Sequence, residues 1–424
     1  MRKGKNKGEV SRKHGISAPQ VRDEAVFHHI GSCSIVLAPN CHQNAACDIR
    51  RLGILQEARM TDPSAESWPL LLSLLPSDWE SQSLHCGAIT RLRGFPSASV
   101  LLRVLLLHVG KGYSLRETAV QARLAGLAEI SDVTVLNRLR QAETWWRQLC
   151  LSLLEESGVS LPDGPHGRRV RILDGTLVKE PGRTGSQWRI HYSLRLPSLL
   201  CDHFALTSTK GKGTAEILHR FPGQPGDLVL ADRAYSTPVG IGVLHEQGAD
   251  VLARWHSTSL PLFNEVGQPF DLLPKLRLLI APGPVGEWAV TIATPAGRIA
   301  GRVCALRKSE CSTSRAVRKI KRKARKNNSA TKAATLEYAA YVIVFTTLPA
   351  AQFPATEVME WYRGRWQIEL NFKRWKTLAS MGQLPKHDEE SSRAWLYGKL
   401  LLALPAQKII RSGRAISPWG YLIA

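Results

Sequence analysis

At Arg168 the apolar pattern of this chain changes period, and that change restricts the fold more than any other feature. Before it, SASVLLRVLLLHV, SLRETAVQARLAG and SDVTVLNRLRQAETWWRQLCLSLLEES repeat apolar residues at helical intervals. Ser114 and Ser131 suit helix N-caps, and Glu117, three residues after Ser114, completes a capping box. After Arg168 the runs shorten to strand length. RRVRILDGTLV, WRIHYSLRLP and CDHFALTST read as a meander. Gly213–Phe221 reads as a short helix, DLVLADRAY as a buried strand, Thr237–Gln247 as a helix and ADVLARW as a further strand. Strands followed by helix–strand–helix–strand make a mixed α/β pattern.

Two acids fall at notable places in that pattern. Asp174 ends one apolar strand, where Gly175 permits a sharp exit, and Asp232 ends another. A carboxylate at the end of a buried strand costs free energy unless it is paired or binds a cation. Singly, such aspartates more often cap turns.

A third acid lies in Trp361–Lys376, WYRGRWQIELNFKRWK. Tyr362, Arg365, Glu369, Lys373 and Lys376 follow at intervals of three and four, which on one helix sets all five on a single stripe. Trp361, Ile368, Phe372 and Trp375 fall on another face and read as the core side. One carboxylate thus stands among bases and a phenol. Arg365–Glu369–Lys373 can be a solvated ladder worth about 0.3 kcal/mol per pair, or Glu369 can be a metal ligand beside a phosphate clamp. Its appearance together with Asp174 and Asp232 favours the second reading. Converging, the three would form an oxygen-rich site for hard divalent ions, Mg²⁺ above all. Two such ions about 4 Å apart can activate a water or a 3′-hydroxyl at a phosphodiester. Asp202 is the rival acid, replacing Asp232 if the strand order differs.

Charge points to the partner. With 57 Lys+Arg against 35 Asp+Glu the formal charge is +22, yet 44% of residues are hydrophobic. A folded, strongly basic chain most often meets a polyanion, and nucleic acid is the first candidate. Between Arg315 and Lys326 eight Lys/Arg occur with no acid, which reads as an exposed or mobile segment touching phosphates. Eight cysteines contain no CxxC pair, and Cys33, Cys41, His42 and Cys47 match no usual zinc spacing. That usage suits reduced thiols in the cytosol. No apolar run follows the charged N-terminus as a signal peptide requires, and Val100–Val109 and Leu400–Pro405 are too short to span a bilayer.

The 424 residues suffice for two or three domains. Residues 1–59 lack periodicity and read as a poorly ordered extension, consistent with a misassigned start upstream of Met60. Residues 60–162 form a helical domain, in which a long helix bearing Arg138, Arg140 and Arg147 either presents itself to DNA or is an ordinary bundle helix with a solvated basic face. Residues 163–255 and 336–424 form the α/β core, interrupted at 256–335 by a β-rich insertion with the basic segment.

The spacing of Tyr362, Arg365, Glu369 and Lys376 is Y-x2-R-x3-E-x6-K, which resembles the signature of the insertion-sequence-four family of DDE transposases. At about 5% per residue type, a chance match is roughly one in 10⁵ per starting site. Asp174 in LDGT and Asp232 in ADRAY resemble the family's first and second acid motifs, and the likeness covers about residues 60–420 in motif order. The resemblance implies an RNase H-like catalytic core with a strand-rich insertion, preceded by a helical N-terminal domain. It implies two-metal DNA cleavage and strand transfer at the ends of an insertion sequence, with two Mg²⁺ ions for which Mn²⁺ can substitute. Asp174, Asp232 and Glu369 would be the catalytic metal ligands. Arg365 and Lys376 would grip phosphates and Tyr362 would hydrogen-bond one. Lys373 and Trp366 match less strictly, and Arg233 would be a further DNA contact. An aromatic of the insertion, Trp288 or Tyr341, would stack on a flipped base if a hairpin forms. The partners implied are the element's terminal repeats and target DNA, engaged by a DNA-bound homodimer, with a cytoplasmic, nucleoid-associated place in a bacterium. Past SPWGYLIA relatives would be expected to continue, so a truncated copy is an expectation too. A catalytically inactive DNA-binding remnant or inhibitor stays open beside the active enzyme, as does an RNase H-type nuclease without strand transfer.

Overall fold

The computed structural model describes residues 67–158, 165–180, 187–210, 216–385 and 388–415. The readings placed on residues 1–59, including the Cys33–Cys47 cluster, and on the C-terminal end lie outside the described residues.

The N-terminal part is helical, as its periodicity requires: α1 (Ser67–Ser73), α2 (Trp79–His85), α3 (Ala98–Lys111), α4 (Leu115–Leu124), α5 (Asp132–Gln141) and α6 (Glu143–Gly158). Ser97 and Ser131 accept hydrogen bonds from backbone amides three residues on, and Ser114 and Glu117 form a full capping box. The long helix expected after Ser131 is two. Its break is at Ala142, whose amide donates to both Arg138 and Leu139 carbonyls. The break comes with different fates for the arginines. Arg138 is buried, bonded to Gln141 and the Arg91 carbonyl and stacked over Phe95. Arg140 pairs with Asp388 at 3.3 Å. Of the three only Arg147 is exposed, so this segment does not offer the continuous basic helix face that the sequence suggested.

The strands are β1 (Arg169–Lys179), β2 (Gln187–Leu196), β3 (Cys201–Ser208), β4 (Asp227–Ala231), β5 (Asp250–Arg254), β6 (Val285–Thr294), β7 (Gly297–Arg307) and β8 (Tyr341–Thr346). They form one sheet in the order β3-β2-β1-β4-β5-β8-β7-β6. β1 to β3 are an antiparallel meander; β4 and β5 run parallel to β1. The crossover between β4 and β5 is α7 (Pro238–Glu246), capped by Thr237 with Pro238 in its first turn. This is a mixed α/β sheet of RNase H-like design with a helical region before it. The inserted segment continues the same sheet: β8 pairs antiparallel with both β5 and β7. A short α8 (Leu273–Arg277) precedes β6, and α9 (Glu310–Lys326) and α10 (Ala333–Tyr338) join β7 to β8. The basic run is therefore a helix, exposed as expected, with no fully buried residue.

After β8 come α11 (Ala355–Gly364), α12 (Trp366–Thr377) and α13 (Glu389–Ala415). Alternation along the strands loads both faces of the sheet. Val170, Ile172, Leu228 and Leu230 share one core with Trp145, Trp146, Ile368 and Trp375; Leu173, Val229, Ala231 and Val251 share another with Ile241 and Leu244. α13 packs on α3, α5 and α6, so the N-terminal helices share a hydrophobic core with the sheet. Gly398 permits this approach, since a Cβ there would overlap the Trp146 ring. Among the described residues no helix is long and apolar enough to cross a membrane.

Candidate active site

Register brings the two strand acids together. β1 and β4 are parallel, and their last paired rung is Leu173 with Ala231. Asp174 and Asp232 are each the next residue, on strands about 4.8 Å apart. They therefore stand side by side where β4 ends, at the edge where open α/β folds place their ligands. Asp174 is not the strand end that the sequence suggested, because β1 runs on through Gly175 to Lys179 in its pairing with β2. Asp174 accepts from the Gly175 amide at 2.8 Å. Burial pushes its carboxyl up to about 7; the Gly175 hydrogen bond and Arg365 oppose this, while the charges of Asp232 and Glu216 add to it.

The third acid arrives on the helical segment, with one correction. The stripe is not carried by a single helix: it runs over α11 and α12, which meet at Arg365. The chain tightens there through Arg365 N–H to Tyr362 carbonyl and Ile368 N–H to Arg365 carbonyl bonds. The five residues accordingly differ in environment. Tyr362 is buried, Arg365 is largely covered, and Glu369, Lys373 and Lys376 are exposed on α12. Ile368, Phe372 and Trp375 are buried, as the core-side reading requires, and Trp361 is half-buried. α12 packs on β1, and the Arg365 guanidinium links Asp174 at 3.5 Å to Glu369, with which it makes a close ion pair. The Tyr362 hydroxyl is pushed up to about 12 by burial, against the opposing charges of Arg365 and Arg254.

Asp174, Asp232, Glu369, Arg365 and Tyr362 are thus gathered, and Arg233 stands exposed in the single 3₁₀ turn after Asp232. Lys373, Lys376 and Trp366 lie on the solvent side of α12. Asp202 is at the opposite end of the sheet, ion-paired to Arg171 at 2.8 Å. Trp288 is half-buried on β6, while Tyr341 is buried and ring-stacked under Arg307, which removes it as a free stacking platform.

Two neighbours escaped the sequence reading. Glu216 pairs with Arg189 at 3.3 Å, and its Oε1 lies 3.1 Å from where a Cβ on Gly175 would be. Its signal was that it is the sole carboxylate between Asp202 and Asp227. Arg254 ends β5 one residue past the rung of Leu173, Ala231 and Ala253, level with Asp174 and Asp232; it donates to the Tyr341 carbonyl at 3.1 Å and feels Tyr362, Arg233, Asp232 and Arg365.

Among the described residues no three His, Cys, Asp or Glu side chains converge closely enough to hold one ion. The donor chemistry nevertheless fits a hard divalent cation: every candidate ligand is a carboxylate, and two of them already share one cationic group, Arg365.

Comparison with known proteins bears on the family. The transposase DDE domain family matches residues 165–404, more than half of the chain. The transposase for insertion sequence element IS421 of Escherichia coli is 32% identical over 368 residues, covering 84% of this chain and 97% of the relative. A protein named as transposase InsL of insertion sequence element IS186A, from Escherichia coli (strain K12), is 32% identical over 367 residues with the same coverage. The transposase for insertion sequence element IS231F of Bacillus thuringiensis subsp. israelensis is 22% identical over 266 residues, 56% of this chain and 55% of the relative.

Proposed function

The chain belongs to the DDE transposase family and is a DNA transposase; from that premise we propose that it is of the insertion-sequence-four type, with Asp174, Asp232 and Glu369 as its catalytic acids. The observation that carries the assignment is the β1–β4 register that sets Asp174 beside Asp232, with Arg365 joining Asp174 to Glu369. The Y-x2-R-x3-E-x6-K spacing supports the finer family placing.

In this reading the three acids hold two Mg²⁺ ions, with Mn²⁺ as a substitute. Bound divalent ions supply Lewis acidity toward the phosphodiester and favour the ionised form of the attacking oxygen. Arg365 holds the acids while no metal or DNA is present, and its planar fork then turns to a backbone phosphate. Tyr362, kept neutral by its raised pKa, donates a hydrogen bond to a phosphate oxygen. Lys373, Lys376 and Trp366 on the solvent side of α12, and Arg233 beside Asp232, form the bank on which the DNA backbone lies. The element's terminal repeats and the target DNA are the substrates, and a homodimer on paired ends is the active form. Residues 60–162 serve as the helical DNA-binding domain, 163–255 with 336–424 as the catalytic core and 256–335 as the insertion, in a cytoplasmic, nucleoid-associated protein.

Asp232→Asn tests this. Nicking of supercoiled plasmid by the wild type should require Mg²⁺ and fail with Ca²⁺. The variant should lose nicking by at least about 10³-fold and keep duplex binding. Cleavage retained by the variant would remove Asp232 from the site.

A further inference from the structure

The α9 helix has two unlike sides. Thr313, Ala316, Val317, Ile320 and Ala324 recur at helical intervals and are half-buried, whereas the basic residues between Arg315 and Lys326 cover the opposite, exposed side. The helix is built to stand despite its charge. Ser309 caps it by accepting from the Ser312 amide, Glu310 sits in the first turn, and Lys323, Arg325 and Lys326 sit in the last, where cations complement the helix dipole. Among the described residues no carboxylate pairs with the basic side. Such a concentration of cations repels itself unless an anion covers it.

The helix is also connected to the active site. His256 follows β5, and its Nδ1 accepts from the Ser259 amide at 3.3 Å. Burial lowers its pKa, and the charges of Arg233 and Lys323 lower it further, so Lys323 of α9 and Arg233 beside Asp232 both act on this ring. At the other end of α9, Lys308 donates to the Ala339 carbonyl at 2.8 Å, two residues from Tyr341, whose carbonyl accepts from Arg254 at 3.1 Å level with Asp174 and Asp232. Burial, then Arg254 and Arg233, push Lys308 down to about 8. Cations thus run from the catalytic acids to the helix without an acid between them in these pairs.

Resting on the transposase reading, we propose that the basic side of α9 clamps the backbone of the DNA duplex whose scissile phosphate lies at Asp174 and Asp232, several base pairs from the cut. The partner is duplex DNA because a second copy of this chain would present like charge. At 1.5 Å per residue the 17-residue helix is about 25 Å long. Duplex rises 3.4 Å per base pair, so α9 matches about seven base pairs.

The test is a quadruple variant, Lys319→Gln, Arg322→Gln, Lys323→Gln and Lys326→Gln, with no buried position touched. Affinity for duplexes carrying ten or more base pairs on both sides of the cut is measured from 50 to 200 mM salt. If three phosphate contacts are lost, the wild type's loss of affinity over that range should shrink by roughly 40-fold, from a slope of about 0.9 per contact. Trimming the duplex to a few base pairs around the cut should erase the difference between variant and wild type. The matching Lys↔Arg exchange variant should bind as wild type. Unchanged affinity and salt slope on the long duplex, or an equal loss on the trimmed one, would overturn the clamp. So would loss of binding to phosphatidylserine vesicles with DNA binding intact. Mg²⁺-dependent nicking by the variant at low salt and saturating protein should persist, which separates failure of the clamp from failure of the active-site assignment.

Discussion

The two ends of the central strands use the same residue types to opposite purposes. Where β1, β4 and β5 begin, acids are met by arginines: Arg168 with Asp250 at 2.6 Å, Arg169 with Asp227 at 3.0 Å, Arg171 with Asp227 at 3.1 Å and with Asp202 at 2.8 Å. Asp227 also accepts from the Gln224 amide. Where β4 and β5 end, Asp174, Asp232, Glu216 and Glu369 gather, with Arg365 shared by two of them and Arg189 turned to one. At the first end each acid has an arginine partner within the fold. At the second, among the described residues, Asp232 makes no ion pair and Arg365 is divided between Asp174 and Glu369, although Arg233 and Arg254 stand nearby. A buried pair adds little net stability but is costly to break on one side, so the first end is insensitive to ligands and sensitive to mutation. The second end is the reverse, because Asp174 and Asp232 stand side by side with one incomplete arginine bridge, which leaves carboxylate oxygens for a cation from outside.

Arg171→Leu gives the largest expected effect on stability. It leaves the half-buried Asp202 without its cation and the buried Asp227 with Arg169 and the Gln224 amide alone, at a cost of about 3 kcal/mol. Urea unfolding should show a lower midpoint with the slope unchanged. By contrast Asp232→Asn, which removes cleavage, should leave that midpoint within about 1 kcal/mol of the wild type. If the two substitutions destabilise alike, the ends do not differ as described.

A pH titration sharpens the contrast. Asp174 titrates near 7 in the folded chain against 3.8 as an ordinary carboxyl. Between these values the folded state holds more protons than the unfolded one, so stability falls as pH rises from about 4 to about 7. Each tenfold difference in proton affinity between the two states is worth about 1.4 kcal/mol, so a few kcal/mol are at stake. Asp174→Asn should flatten that slope, and Mg²⁺ should offset the loss by favouring the ionised carboxylate. A metal-free protein whose stability is flat across the window would contradict a desolvated Asp174.

How far the sequence foretold this follows from the reach of each signal. Asp232 was legible because strand period and strand end are local; Asp174 stood out by the same apolar run, but its strand continues to Lys179 because β2 extends the pairing, which no local signal shows. Their adjacency depends on β4 pairing parallel to β1, which the alternation of strand and helix implies. The core side of the catalytic segment was legible for the same reason. Its break at Arg365 was not, since Arg365 itself keeps helical dihedrals and Gly364 beside it, the last residue of α11, was the one local hint. The separation of Arg138 and Arg140 from solvent depended on Arg91, Phe95 and Asp388, the last 248 positions away from Arg140. The basic run was legible in charge but not in form: without an acid at i±4, propensity alone argued for repulsion, whereas the half-buried stripe and the Ser309 cap hold it helical.

Glu216 gives the smallest predicted effect and the finest division of the charged end. Nothing around it in GKGTAEILHRF has a period or motif, so only the fold brings it to Gly175. Its pKa is raised by burial and by Asp232 while Arg189 opposes, which leaves it as a contributor to the site's negative charge. Glu216→Gln keeps the shape and the contact with Gly175 but removes that charge. Asp174 should then ionise at lower pH, and the Mg²⁺ concentration for half-maximal nicking should rise by no more than about tenfold, or 1.4 kcal/mol. Both shifts together identify Glu216 as part of the cation-attracting end. A lower Asp174 pKa with unchanged Mg²⁺ demand would confine its influence to the metal-free state, and neither shift would make it only the counterion of Arg189.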